Sequence, residues 1–190
     1  MRRKPWCSST MPVEEVLPAG ARFFFALWLP PEVARSLHTL AGGVVGRCGG
    51  RLMREDALHI TLAFLGEIPE QRLDALQALA ASVALPKVDV RLDRLGFWNH
   101  NHILWAGSKE PAPALEALAA DLQAVMLKDG FLNEVRPFAP HVTLLRKLLH
   151  PGTVPDLAPL EWSATEFVLA RSWPSDRGSA YEAVARWPLD

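Results

Sequence analysis

Apolar positions along this chain switch between a period near two and a period near 3.6. Arg22 to Leu29 (RFFFALWL) is almost wholly apolar and aromatic, and Pro30-Pro31 ends it, which predicts a buried strand. Pro31 can open a helix, and Val33, Leu37, Leu40, Ala41 and Val44 follow at helical spacing. Gly49-Gly50 marks a turn, Arg51 to Arg54 a short strand, and Leu58 to Leu65 a longer one. Beyond Gly66 to Pro69, the spacing of Leu73, Leu76, Leu79 and Val83 predicts a helix near 70–83.

The pattern then begins again. Val88, Val90, Leu92 and Leu95 alternate as in a strand, which Gly96-Phe97-Trp98-Asn99 is expected to end, and His102 to Ala106 returns as its partner. Leu115, Leu118, Leu122 and Val125 predict a helix over 113–128, with Gly130 as its stop. Strands follow at His141 to Arg146, Glu166 to Arg171 and Tyr181 to Trp187, the last two separated by a loop from Pro174 to Gly178. Strands mixed with helices, without strict alternation, favour an α+β class of mostly antiparallel sheet. Strand, helix and a histidine-bearing strand occur twice, which predicts two related lobes, each with one such strand on a central cleft. One bilobal domain is expected over 21–190, preceded by a loose extension over 1–20.

The two histidine strands share a short string. Leu58-His59-Ile60-Thr61-Leu62 and Pro140-His141-Val142-Thr143-Leu144 each place His, aliphatic, Thr, Leu in order, 82 positions apart. In an extended strand His59 and Thr61 point one way and Ile60 and Leu62 the other, and the second copy repeats this. Each strand therefore has an apolar anchoring face and a face with one imidazole and one hydroxyl. Two such faces together suit acid–base chemistry near neutral pH, where imidazole titrates. Arg146 falls on the wrong side of simple alternation, opposite His141, unless a bulge or a strand end redirects it.

Composition narrows the classes. The 190 residues are 49% hydrophobic and 22% charged, enough for a real core, and the net charge of −1 argues against tracking along nucleic acid by bulk charge. Cys7 and Cys48 lie in no zinc-type spacing and are expected as free thiols in a reducing cytoplasm. Neither a signal peptide nor a membrane span is expected. His38, His100, His102 and His150 are expected at the surface or in turns, and Phe24 or Trp98 could stack on a base.

Five stretches in order carry a further likeness: RFFFAL, LHITLAFLGEI, LGFWNHNHILWAG, RPFAPHVTLLRK, and VLARSW with YEAVARWPL. With them the chain from Arg22 to Leu189 resembles the 2H phosphoesterase superfamily, and within it the RNA 2′,3′-cyclic phosphodiesterases historically named 2′-5′ RNA ligases. The resemblance implies two lobes around a pseudo-twofold cleft. It implies His59 as proton donor and His141 as proton acceptor, with Thr61, Thr143 and Arg146 binding the phosphate. It implies no metal and no cofactor. The substrates it implies are RNA ends or nucleotides with a 2′,3′-cyclic phosphate, opened to 2′-phosphomonoesters. No membrane and no obligate protein partner is inferred. A 2′-5′ RNA ligase, a 3′-end trimming enzyme and a non-catalytic RNA-end or nucleotide-binding module use the same residues and stay open.

Overall fold

The computed structural model of the protein describes residues 21–83, 86–134, 137–175 and 178–189. The expected extension over 1–20 lies outside the described residues, as does Cys7. In chain order the elements are β1 (Arg22–Trp28), α1 (Pro31–Cys48), β2 (Arg51–Leu52), β3 (His59–Gly66), α2 (Leu73–Ala81), β4 (Val88–Leu92), β5 (Arg94–Trp98), β6 (Ile103–Gly107), α3 (Pro113–Lys128), β7 (Val142–Arg146), β8 (Leu160–Ala164), β9 (Glu166–Ser175) and β10 (Gly178–Pro188). The fold is α+β.

Local chemistry sets the boundaries. Both long helices begin on a proline, whose missing N–H would have no partner in the first turn anyway. α1 stops where Gly49 adopts φ 73°, a conformation that favours glycine, and its N–H donates to the Val45 carbonyl. Glu70 to Arg72 form a 3-10 turn, so α2 is shorter at both ends than its apolar spacing suggests.

One sheet runs β10-β9-β1-β3-β7-β6-β5, with β2 also paired to β7, and every pairing is antiparallel. The histidine strands β3 and β7 are neighbours at its centre, joined by the single pair Ile60–Val142. The repeat is visible in space: β1-α1-β3 on one side corresponds to β6-α3-β7 on the other. The helices cross over, since α1 packs on β2 and β7 while α3 packs on β3 and β4. Ile60, Leu62, Val142 and Leu144 all turn to this shared core and are almost fully buried. Each such aliphatic side chain contributes on the order of 1.5–3 kcal/mol. No described helix is long and apolar enough to cross a membrane.

Two expectations need correction. The strand expected to end at Gly96-Phe97-Trp98 divides at Asp93 instead. Residues 88–92 form a small separate sheet with β8, and 94–98 are a full strand paired with β6. Asp93 fixes the corner, accepting hydrogen bonds from the Lys109 amide (2.8 Å) and Arg91 Nε (2.9 Å). Gly96 reads as a breaker, yet its missing side chain has a packing cause: a Cβ there would lie 2.1 Å from the Trp105 ring. β8 was not expected at all; its LEWSA string is too short and mixed to announce a strand.

Candidate active site

The Ile60–Val142 pair fixes the geometry of four side chains. In an antiparallel ladder, one step to either side of that pair sets His59 opposite Thr143 and Thr61 opposite His141. All four are on the face away from the core, because Ile60 and Val142 are fully buried on the other. The result is a diagonal square with the pseudo-twofold axis at its middle. The Cβ atoms that face each other across the two strands lie ~4.5–5.5 Å apart, and those two residues apart along one strand ~6.5 Å.

Each imidazole is oriented by the same backbone device. His59 Nδ1 donates to the Ala57 carbonyl and His141 Nδ1 to the Ala139 carbonyl, both at 2.7 Å. A carbonyl only accepts, so the proton sits on Nδ1 and each neutral ring keeps its Nε2 lone pair. Ala57 and Ala139 are themselves 82 positions apart.

Both strands then bulge at equivalent residues. In β3, Phe25 pairs with Ala63 and the next residue, Ala26, pairs with Thr61, so Leu62 is extra. In β7, Leu104 pairs with Leu145 and Trp105 with Thr143, so Leu144 is extra. A bulge shifts the alternation by one. Arg146 is thereby returned to the face of His141 and Thr143, which simple alternation denied it. Its equivalent in β3 is Phe64, which the sequence reading passed over and which is 53% exposed on the same face. The freed bulge carbonyls are satisfied differently. The buried Gln123 side chain of α3 donates to the Leu62 carbonyl (3.2 Å), whereas the Met53 amide donates to that of Leu144 (2.9 Å).

The surroundings of the two rings differ. His59 lies within an aromatic cage: Trp28 stacks on it (centroids 5.5 Å apart), Phe24 is at 4.9 Å and Tyr181 at 5.4 Å. Among the described rings His141 meets Trp98 alone, in an edge-to-face contact with centroids 4.5 Å apart. Burial pushes the His59 pKa down to about 4, helped by the charges of His141 and Arg146 and opposed by the Ala57 bond. His141 is also lowered, by burial and then Arg146, against its own carbonyl bond. Both shifts favour the neutral imidazole at pH 7.

Comparison with known proteins agrees with this architecture. A family model described as the 2'-5' RNA ligase superfamily matches residues 26–173, which include both histidine strands. The chain belongs to this superfamily. A protein of Escherichia coli (strain K12) named RNA 2',3'-cyclic phosphodiesterase is 34% identical over 88% of this chain and 96% of its own length. One of the same name from Thermus thermophilus is 30% identical over 88% of this chain and 90% of its own. The solved structure of E. coli LigT complexed with 3'-AMP superposes with a TM-score of 0.82 at 33% identity, covering 88% of this chain and 97% of that one.

This member of the superfamily carries an open groove of about 590 Å³ beside the square. Thr61, Phe64, Trp98, Phe131, Phe138 and His141 are among its walls. Trp98 therefore reaches the groove. Phe24 does not: it is 3% exposed, packed against Trp28, His59 and Tyr181, and has no free face for a base. His100, His102 and His150 are exposed and His38 is half-buried. The Cys48 thiol donates to the Pro151 carbonyl at 3.4 Å. A match to Arg146 at the 82-residue offset was the available signal for Phe64. No pattern in the sequence singles out Gln123, because its task exists only once the bulge does.

Proposed function

We propose that this enzyme hydrolyses RNA 2′,3′-cyclic phosphate ends to 2′-phosphomonoesters, with His59 and His141 as its acid and base. The observation that carries the reading is the diagonal square centred on Ile60–Val142, in which two imidazoles on equal mounts share one sheet face with two hydroxyls. The names of the bacterial relatives support the substrate class.

The chemistry follows from the residues. The phosphorus sits over the square, with Thr61, Thr143 and Arg146 as donors to its non-bridging oxygens. The neutral Nε2 of His141 takes a proton from water as the water oxygen bonds to phosphorus. The protonated Nε2 of His59 gives its proton to the 3′ oxygen as the P–O3′ bond breaks. Attack and departure are in line, so the two groups must act from opposite sides, which a twofold arrangement supplies. The net change adds one water and leaves the phosphate on the 2′ oxygen. Burial makes His59 hard to protonate, but the substrate anion offsets both burial and the Arg146 charge and lets one proton return. The aromatic faces around His59 favour the resulting cation. The two roles follow the family resemblance, and the geometry by itself suits either ring for either part.

Phosphorus NMR of the reaction with a nucleoside 2′,3′-cyclic phosphate tests the reading. A 2′-monoester signal that grows with time is expected, at an unchanged rate in EDTA, since the imidazoles and guanidinium supply every proton and charge the step needs. Product carrying the phosphate on the 3′ oxygen would reverse the choice of leaving group. A substrate that binds and stays intact would make the protein a binding module.

A further inference from the structure

Two arginines stand side by side at the far end of β7. Arg51 of β2 is register-matched to Arg146, and Leu52 to Leu145. Leu145 is fully buried, so Arg51 and Arg146 share the opposite face, the one that carries Thr143 and the site. Like charges directly across a strand pair repel and are destabilising. Arg35, Arg54, Arg91, Arg171 and Arg186 each face a carboxylate. Among the described residues no carboxylate pairs with Arg51 or Arg146.

The backbone holds this repulsive pair together. Gly49 and Gly50 turn α1 into β2 at φ 73° and 96°, and a Cβ on Gly50 would lie 3.3 Å from the Arg146 carbonyl. The double glycine lets β2 lie tight against the end of β7. The next residue after Arg146 is the exposed Lys147, at φ 58°, a left-handed conformation unfavourable for a residue with a Cβ. Repulsion and strain therefore coincide at one edge of the site, and an anion between the cations relieves the first.

We propose that Arg51 binds the phosphodiester on the 5′ oxygen of the terminal nucleotide, so that cyclic ends carried on an RNA strand are preferred to isolated cyclic nucleosides. The proposal rests on the hydrolytic reading, which sets the cyclic phosphate beside Arg146. In such an end the 2′ and 3′ oxygens are both closed in the ring, so the next anion along the strand can only be on the 5′ oxygen of the same ribose. A guanidinium presents paired N–H groups that match two phosphate oxygens, and Arg51 is the neighbouring guanidinium. It is a substrate-positioning residue that acts on binding and not on the bond broken.

Steady-state kinetics on three substrates test this: a nucleoside 2′,3′-cyclic phosphate, the same compound with a 5′-methyl phosphate, and a dinucleotide ending in the same cyclic phosphate. The wild type should show a lower KM for the second and third than for the first. Arg51→Gln should raise those two KM values by about tenfold, with kcat and the KM of the plain compound within about twofold. Arg51→Lys should recover part of the loss. The dependence of log KM on log salt for the 5′-methyl phosphate should become shallower by ~0.7 in the glutamine variant. Equal wild-type KM values for the first two substrates would overturn the proposal, and that arm stands even where the variant fails to fold. An equal loss on both in Arg51→Gln would also overturn it, placing the effect at Arg146. Turnover of none of the three by the wild type would instead overturn the hydrolytic reading, and the proposal with it.

Discussion

The two halves of the site are built alike and furnished differently. In both, a histidine is held through Nδ1 by the carbonyl two residues before it, a threonine follows two residues on, and a bulge turns the fifth residue after the histidine to the same face. In the first half that residue is the exposed aromatic Phe64, and the histidine is caged by Trp28, Phe24 and Tyr181. In the second it is the cation Arg146, and the histidine meets one tryptophan edge. The duplicated backbone delivers two imidazoles on equal mounts to one sheet face. The unduplicated side chains make the site asymmetric, as a reaction with one acid and one base requires.

The hardest way to break the comparison is to remove each histidine. His59→Ala and His141→Ala should each lower kcat by about 10²–10⁴-fold with the circular dichroism spectrum unchanged. The two variants should then part company on an ester with a strongly acidic leaving alcohol. That substrate needs no protonation of the departing oxygen, so it should restore most of the rate to His59→Ala and little to His141→Ala. Full activity of His59→Ala on the cyclic nucleotide would remove the ring from the mechanism.

Exchanging the equivalent fifth positions sharpens the contrast. Arg146→Gln should lower kcat/KM by roughly 10²-fold or more, as loss of a preorganised donor to a phosphoryl oxygen does. Phe64, exposed on the site face and lining the groove, is proposed as a stacking platform for the substrate base, so Phe64→Ala should act mainly on KM, by about tenfold, as loss of ~1–3 kcal/mol of stacking does. A fall in kcat alone for Phe64→Ala would place that ring under the reacting phosphate instead of the base.

The bulges can be compared through their carbonyl partners. Gln123→Ala strands the Leu62 carbonyl and should destabilise the protein by ~1–3 kcal/mol in urea unfolding. It should also raise KM in the manner of Phe64→Ala, because the bulge that aims Phe64 loosens. The Leu144 bulge is held by a backbone amide and is expected to resist any single side-chain change.

The gentlest comparison follows stability with pH. The folded pKa of His59 lies below its unfolded value, so below about 6.5 the unfolded chain binds a proton that the folded one refuses. Its contribution is therefore full above about 6.5 and declines as pH falls toward 4, by on the order of 2 kcal/mol after allowance for its partial exposure. Inorganic phosphate should raise Tm more at pH 5.5 than at pH 8, and His59→Asn should flatten the dependence. A Tm independent of pH over this range in the wild type would contradict the buried neutral imidazole.

Much of this was legible in the linear chain. The apolar runs and their helical or alternating spacing predicted β1, α1, β3, α3 and β7 nearly to the residue, because those elements bury one continuous face. The helix near 70–83 was legible too, though shorter. The split at Asp93 was only faintly legible: the apolar step lengthens from two to three between Leu92 and Leu95, which a bulge within one strand would equally produce. β8 was not, because its partner β4 lies about 70 residues away and lends it the pairing its own composition lacks.

The same division runs through the site. Two strings of His, aliphatic and Thr, with an aliphatic residue between, determined by period alone that each imidazole shares a face with a hydroxyl. That these faces meet, in a square centred on Ile60–Val142, was decided by strand order in the sheet. That Arg146 and Phe64 join them was decided by two bulges whose extra carbonyls find partners on distant segments, Gln123 of α3 and the Met53 amide. A pleat repeats every two residues and is written in the sequence. A bulge is stable only where the rest of the fold satisfies the polar group it frees, and that is a property of three dimensions.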